Sequence, residues 1–321
     1  MIGSQTKTMR DVFLEQIYRI MKRNKKIFFL SADFGAPTLD SIRKDYPDRF
    51  INVGIAEQNL INVSTGLALE GFTVYAYGIA SFLTMRAFEQ IRINLAMLSQ
   101  IRQVNVNLIG VGGGMSYVVS GPTHHCLEDL SIIRTLPNIL LFSPSDWVLA
   151  EQFANYTINN KGPKYIRFEG KPVVQIYDEK QKIDFTKGFN QLFRGEKICI
   201  VSNGYMTHRA LEVRDTLASE NIKVGVIDVF LLKPLNEKLL YERLKQYKYI
   251  ITIEEAFLGK GGLDSLISDI LTKNKSSIVL NKMGIGDSYT FNIGNREYLH
   301  KINNLDGIFI AKKIKKLLSK I

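Results

Sequence analysis

Short apolar runs of strand length alternate with amphipathic stretches of helical period along nearly the whole chain, and this alternation permits few architectures. Strands that alternate with helices pair side by side in parallel while the helices cover both sheet faces. The fold expected is therefore α/β, with two domains, each a mainly parallel sheet flanked by helices. Val12, Phe13, Ile17, Ile20 and Met21 share one face of a helix over 10–23, and Ile27-Phe28-Phe29-Leu30 then reads as a buried strand. Further strands are expected over 50–53, 73–77, 104–111, 139–142 and 165–168. A second series, over 198–201, 224–229, 249–253 and 278–280, alternates with helices around 207–220, 236–245 and 262–271. A length of 321 residues suits about two domains. The division expected is a first domain over 1–170, a polar and irregular linker over 171–187 and a second domain over 188–321.

Composition excludes several classes. Hydrophobic residues make up 45% and charged residues 23%, which is globular and leaves no long disordered tract. No apolar run approaches the roughly 18 residues of a membrane span. The start Met1-Ile2-Gly3-Ser4-Gln5-Thr6-Lys7-Thr8 lacks the apolar core of a signal peptide, so a cytoplasmic location is expected. Cys126 and Cys199 have no CxxC spacing, which supports neither a zinc site nor a disulfide framework. The net charge of +11 would attract phosphorylated metabolites, nucleic acid or acidic lipid headgroups. Its densest run, Lys312 to Lys316, sits among Ile310, Ile314, Leu317, Leu318 and Ile321 at helical spacing, which is the solvated side of an amphipathic helix. No nucleic-acid motif accompanies the charge, so nucleic acid is not an expected partner.

Three stretches could carry chemistry. Gly110-Val111-Gly112-Gly113-Gly114 follows a strand, but Met115 takes the last glycine of a GxGxxG frame and no GxxxxGK[ST] occurs. Its glycines suit either close backbone approach to a ligand or a loop that needs positive φ. Gly121-Pro122-Thr123-His124-His125-Cys126 sets two of four histidines side by side, and adjacent helical residues do not share a face, so joint metal ligation is disfavoured. An imidazole on a loop remains suited to proton transfer or polar recognition. Cys126 reads as a small buried hydrophobe. Glu57, in Gly54-Ile55-Ala56-Glu57-Gln58-Asn59-Leu60, opens an apolar helix. Its plain role is to complement the helix dipole. In otherwise apolar surroundings, burial would instead raise its pKa toward the protonated form that can donate a hydrogen bond.

Together these residues resemble a known family. Phe50 to Asn59, Gly66-Leu67-Ala68-Leu69-Glu70-Gly71, Gly121-Pro122-Thr123-His124 and Leu136-Pro137-Asn138 look like the pyrimidine-binding domain of transketolases and deoxyxylulose-phosphate synthases. The resemblance runs from about residue 8 to the C-terminus, in the order of the C-terminal half of a transketolase. Phe82-Leu83-Thr84-Met85-Arg86 and Phe88-Glu89-Gln90-Ile91-Arg92 resemble the variant encoded as a separate C-terminal subunit.

The resemblance implies thiamine diphosphate as cofactor and a role for each matching residue. Glu57 matches the glutamate that bonds N1′ of the aminopyrimidine and favours the tautomer whose 4′-nitrogen takes the C2 proton. Phe82 resembles the aromatic residue packed on that ring, and Asp33 a family aspartate near the cofactor. His124 matches a substrate-side histidine that moves protons and binds substrate oxygens. Arg167 lies where the family uses an arginine for substrate phosphate. The family's diphosphate and Mg²⁺ site needs a GDG motif with a spaced asparagine, and here only Gly286-Asp287-Ser288 occurs, in the other domain. The resemblance therefore implies a partner subunit that carries GDG and holds Mg²⁺, in an α₂β₂ heterotetramer with apolar surface where the partner docks.

Two departures bear on the substrate. Ser120 stands where the family's aspartate before Gly-Pro-Thr-His recognises a sugar hydroxyl, and Gly112 falls about where transketolases place another substrate histidine. The resemblance implies transfer of a two-carbon ketol unit from a ketose to an aldehyde, and these departures suggest a modified or nucleotide-linked ketose. The alternatives are a deoxyxylulose-phosphate-synthase-like or 2-oxoacid dehydrogenase β-like subunit, and a catalytically silent binding or assembly protein. In the second domain, Ile200 to Gly204 before the helix near 207 either offers N–H groups to an anion or simply starts that helix. Glu254-Glu255-Ala256-Phe257 resembles a strand-end motif of the family's last domain, and His208 and His300 receive no role.

Overall fold

The computed structural model describes residues 5–319, so Met1 to Ser4 of the expected non-secretory start and Ile321 of the terminal amphipathic face lie outside it. Fourteen strands form among these residues, β1 (Thr6–Lys7), β2 (Ile27–Ser31), β3 (Phe50–Asn52), β4 (Thr73–Ile79), β5 (Val106–Val111), β6 (Leu140–Phe142) and β7 (Lys164–Phe168) in the first half. The second half adds β8 (Val173–Val174), β9 (Phe189–Phe193), β10 (Ile198–Ser202), β11 (Val224–Val229), β12 (Leu231–Lys233), β13 (Tyr249–Phe257) and β14 (Val279–Ile285).

A seven-stranded sheet in the order β12-β6-β7-β5-β4-β2-β3 and a five-stranded sheet in the order β14-β13-β10-β11-β9 carry the fold. Within each, only the edge strands β12 and β9 run antiparallel to their neighbours. Alternation along β4 shows how the first sheet is covered. Tyr75 and Tyr77 face a core that includes Phe13, Leu14 and Ile17 of the helix Met9–Met21 and Phe153 of the helix Trp147–Asn159. Val74 and Ala76 face the opposite core, with Leu60, Ile61 and Ala68 of the helix Glu57–Leu69.

The stretch 171–187 between the halves packs against the fold: β8 pairs with β1, and Ile176, Tyr177, Ile183 and Phe185 are buried. These scattered apolar side chains are too few to show periodicity, yet they pack the segment down. β12, absent from the sequence reading, leaves the second half to extend the first sheet beside β6. Its three residues, Leu231 to Lys233, are too short to read as a strand.

Candidate active site

Loops that leave parallel strands gather at the carboxyl edge of a sheet, where ligands bind in α/β proteins. In the first sheet β2 leads to Asp33, β3 to Glu57, β4 to Phe82 and β5 to Gly112-Gly113-Gly114. Gly54, at φ 75°, turns the chain off β3. The Asn52 side chain fixes that turn, accepting from Gly54 N–H at 3.0 Å and Asp33 N–H at 3.2 Å and donating to Asp33 Oδ1 at 2.9 Å. Asp33 is exposed and sits at φ 52°, a left-handed conformation that aspartate tolerates better than most residues. Its carboxylate braces the two loops through Asn52.

Glu57 is the first residue of its helix and 3% exposed. Its surroundings correct the apolar setting expected from sequence: Arg86 Nη1 donates to Glu57 Oε2 at 2.8 Å. Phe82 and Arg86 lie four apart on the helix Ala80–Arg86, hence on one face. The guanidinium lies over the Phe82 ring, 4.9 Å from its centroid, within cation–π range. Phe82 in turn meets the His124 imidazole edge-on, with centroids 5.1 Å apart. Thr123 Oγ1 is 3.0 Å from His124 Nδ1, and the Tyr117 ring stands perpendicular to His124 at 6.3 Å. Glu57, Arg86, Phe82, His124 and Tyr117 thus form one continuous wall. Ser120 is exposed on the adjoining turn, its N–H donating to the Tyr117 carbonyl at 3.2 Å.

Arg167 is not on this wall. Its side chain is 7% exposed, with Nε on Asp129 Oδ2 at 2.8 Å and Nη2 on the carbonyls of Cys126 and Glu255 at 3.1 and 3.2 Å. Tyr165 donates to the same Asp129 oxygen at 2.8 Å. Nε and Nη2 thereby tie the first domain to β13, so that part of the fork expected for a substrate phosphate is engaged within the protein. Cys126 is fully buried, as read from sequence. His125 is buried as well, neither ring nitrogen has a hydrogen-bond partner, and burial lowers its pKa. No group of three or more His, Cys, Asp or Glu residues among the described residues is placed to hold a metal ion.

Beside Arg167 the two sheets share a buried ion network. Arg296 Nε donates to Glu255 Oε1 at 2.8 Å, and its terminal nitrogens reach Glu169 and Glu255. His300 Nε2 is 2.5 Å from Glu255 Oε1, and the Tyr205 ring covers the Arg296 guanidinium at 3.6 Å. Burial alone would raise the Glu255 carboxyl, but Arg296 and His300 outweigh it and hold it well below the usual carboxylate range. A separate groove of about 440 Å³, lined among others by Ile176, Phe193, Tyr205 and His208, shares no residue with the wall.

Sequence reasoning missed Arg86 as the partner of Glu57, and Tyr117. The spacing of Phe82 and Arg86 on one helix turn was the available signal for the first. For Tyr117 the signal was Gly112, whose bareness makes room for a ring from elsewhere.

The family models give the chain a context. The model of the transketolase pyrimidine binding domain matches residues 5–172, and that of the transketolase C-terminal domain matches residues 189–291. A protein of Actinobacillus succinogenes, named as one of the subunits of an apulose-4-phosphate transketolase, is 30% identical over 305 residues, covering 94% of this chain and 96% of its own. The 6-deoxy-6-sulfo-D-fructose transketolase subunit SqwH of a Clostridium species is 28% identical over 293 residues, covering 91% of this chain and 88% of its own. A solved split gene transketolase, described as an inactive beta4 tetramer, superposes with a TM-score of 0.86 at 29% identity, covering 97% of this chain and 98% of its own. Both domains occur in the order found in separately encoded C-terminal subunits, and the chain belongs to the transketolase family.

Proposed function

We propose that this chain transfers a two-carbon ketol unit from a ketose to an aldehyde once joined to a second polypeptide that carries GDG and holds the diphosphate of thiamine diphosphate through Mg²⁺. The observation that carries this reading is the wall of Glu57, Arg86, Phe82 and His124 at the carboxyl edge of the first sheet. A nearly buried carboxylate at a helix start and an aromatic ring beside it fit an aminopyrimidine, by a hydrogen bond at the ring nitrogen and by packing on the ring face. The sequence contains no GDG, and Gly286-Asp287-Ser288 follows β14 on the other sheet. Exposed Ile55, Met85 and Val119, close in sequence to Glu57, Arg86 and Ser120, support a partner surface there. We further propose an α₂β₂ assembly, a cytoplasmic location and functional units over 1–170 and 188–321, joined by 171–187.

Bound thiamine diphosphate supplies the carbon nucleophile that cleaves the ketose. Glu57 would hold the proton shared with N1′, with Arg86 keeping its carboxylate aimed and Phe82 fixing the ring. His124, with Thr123 orienting Nδ1, would exchange a proton with the substrate oxygen. Ser120 would hydrogen-bond a sugar hydroxyl without adding charge. Asp33 would act on the cofactor through the loop brace to Asn52, and Arg167, whose Nε and Nη2 are held by Asp129 and by the carbonyls of Cys126 and Glu255, would have Nη1 to offer a substrate phosphate.

Relatives named for apulose-4-phosphate and 6-deoxy-6-sulfo-D-fructose support a modified sugar as substrate. They do not favour the decarboxylating alternatives or the silent binding module. The test is a transfer assay on a panel of phosphorylated and modified ketoses, with the chain, its GDG-bearing partner and their mixture. Turnover only in the mixture is expected. Carbon dioxide release from pyruvate without ketose cleavage would contradict the proposal.

A further inference from the structure

Gly112 and Gly170 lie beyond the carboxyl ends of β5 and β7, which are neighbours in the first sheet, and the Tyr117 ring fits between them. Gly112 sits at φ 92°, and a Cβ added there would overlap ring carbons Cδ2 and Cε2 and stand 2.9 Å from Cζ. A Cβ at Gly170 would fall 3.2 Å from Cε1 on the other edge of the ring and 2.8 Å from Ser116 Oγ. Any side chain at 112 must therefore displace Tyr117, because a packed interior leaves no slack for such an overlap. The seated ring stands perpendicular to His124, and His124 touches Phe82. Burial raises the phenol to about 12, with Arg10 opposing and Glu169 adding to the shift, so the hydroxyl keeps its proton near neutral pH.

We propose that Tyr117, seated by Gly112 and Gly170, is a specificity-determining residue for the part of the ketose beyond the cleaved bond. The ring fills the volume above Gly112 and limits what can lie beside His124. The hydroxyl offers one hydrogen-bond donor to a substrate oxygen there. This inference rests on the ketol-transfer reading, and its test separates the two.

The complex with the partner subunit is assayed with hydroxypyruvate, whose only group beyond the cleaved bond is the carboxylate lost as carbon dioxide, and with whichever ketose of the phosphorylated and modified panel it cleaves fastest. Loss of one neutral hydrogen bond in Tyr117→Phe should lower kcat/KM for the ketose about three- to tenfold, mainly through KM, with hydroxypyruvate unchanged within about twofold. Tyr117→Ala should lower the ketose to hydroxypyruvate ratio more than about tenfold. Gly112→Ala, which displaces the ring and leaves the phenol in the chain, should reproduce that ratio change. Equal losses on both donors in these variants would overturn the assignment of Tyr117, since they describe a structural residue. Failure of the wild-type complex to use hydroxypyruvate or any ketose of that panel would overturn the ketol-transfer reading and this inference with it.

Discussion

Arg86 donates to Glu57 at 2.8 Å, joining the helix that follows β4 to the helix that follows β3 at the edge where those strands end. Glu57 is nearly buried, whereas Arg86 is 46% exposed, so the pair sits at a boundary. A charge-assisted bond in that setting aims the carboxylate outward from the sheet edge.

Glu57→Gln keeps the shape and removes the acid–base function, so kcat of the complex should fall about 10²- to 10⁴-fold while the unfolding midpoint stays near wild type. Arg86 is a positioning residue in this account. Arg86→Met should raise the thiamine diphosphate concentration needed for half-maximal activity about tenfold, with a smaller effect on kcat, and Arg86→Lys should recover part of the loss. A kcat loss in Arg86→Met as large as that of Glu57→Gln would contradict the division of roles.

His124 lies along the wall from Arg86, with Phe82 between the two. His124→Ala should lower kcat/KM for the ketose about 10²-fold and leave cofactor binding to the complex unchanged. Phe82→Ala should do the reverse, weakening cofactor binding first. Steady-state kinetics beside cofactor titrations separate the two patterns.

Arg296 neutralises Glu169 and Glu255, both nearly buried, between the two sheets. Arg296→Met leaves two buried carboxylates without that cation. Breaking one partner out of a buried ion network costs about 3–5 kcal/mol, which urea unfolding would read as a lower midpoint. A midpoint unchanged from wild type would mean that water already screens the network.

His208 gives the protein an acid limit. Burial pushes it down to about 4, and its Nε2 lies 2.7 Å from the Ser145 carbonyl. In the unfolded chain a histidine titrates near 6.5, so as pH falls the unfolded state binds the proton first. The contribution is therefore full above about 6.5 and is lost progressively toward pH 4, by up to about 3 kcal/mol. His208→Gln, which keeps a donor for Ser145 and cannot titrate, should flatten the fall in unfolding free energy between pH 6.5 and 4.5. An equally steep fall in the variant would assign the acid limit to other groups, first to His125, whose pKa burial also lowers.

Much of the layered fold was legible because buried parallel strands leave apolar runs and their covering helices leave a 3.6-residue period. Strand β11 appears over Val224–Val229, as its apolar run suggests. What escaped was structure that such patterns do not encode. β12 has three residues, and its pairing with β6 is decided by how the two sheets meet. Arg167 was legible as a strand-end arginine, but its burial depends on Asp129 from a preceding helix and a carbonyl from β13. In the candidate site, the carboxyl-edge position of Glu57, Phe82 and His124 follows from the strand order. The Arg86 contact and the seat of Tyr117 depend on side-chain packing that one-dimensional spacing only hints at.

The most direct test of the central claim is calorimetric titration of thiamine diphosphate, in the presence of Mg²⁺, into this chain, into its GDG-bearing partner and into their mixture. Binding in the mixture alone, weakened in the complex made with Glu57→Ala, is the result expected of a site divided between two polypeptides. Full-strength binding to either chain alone, or no binding in the mixture, would contradict it.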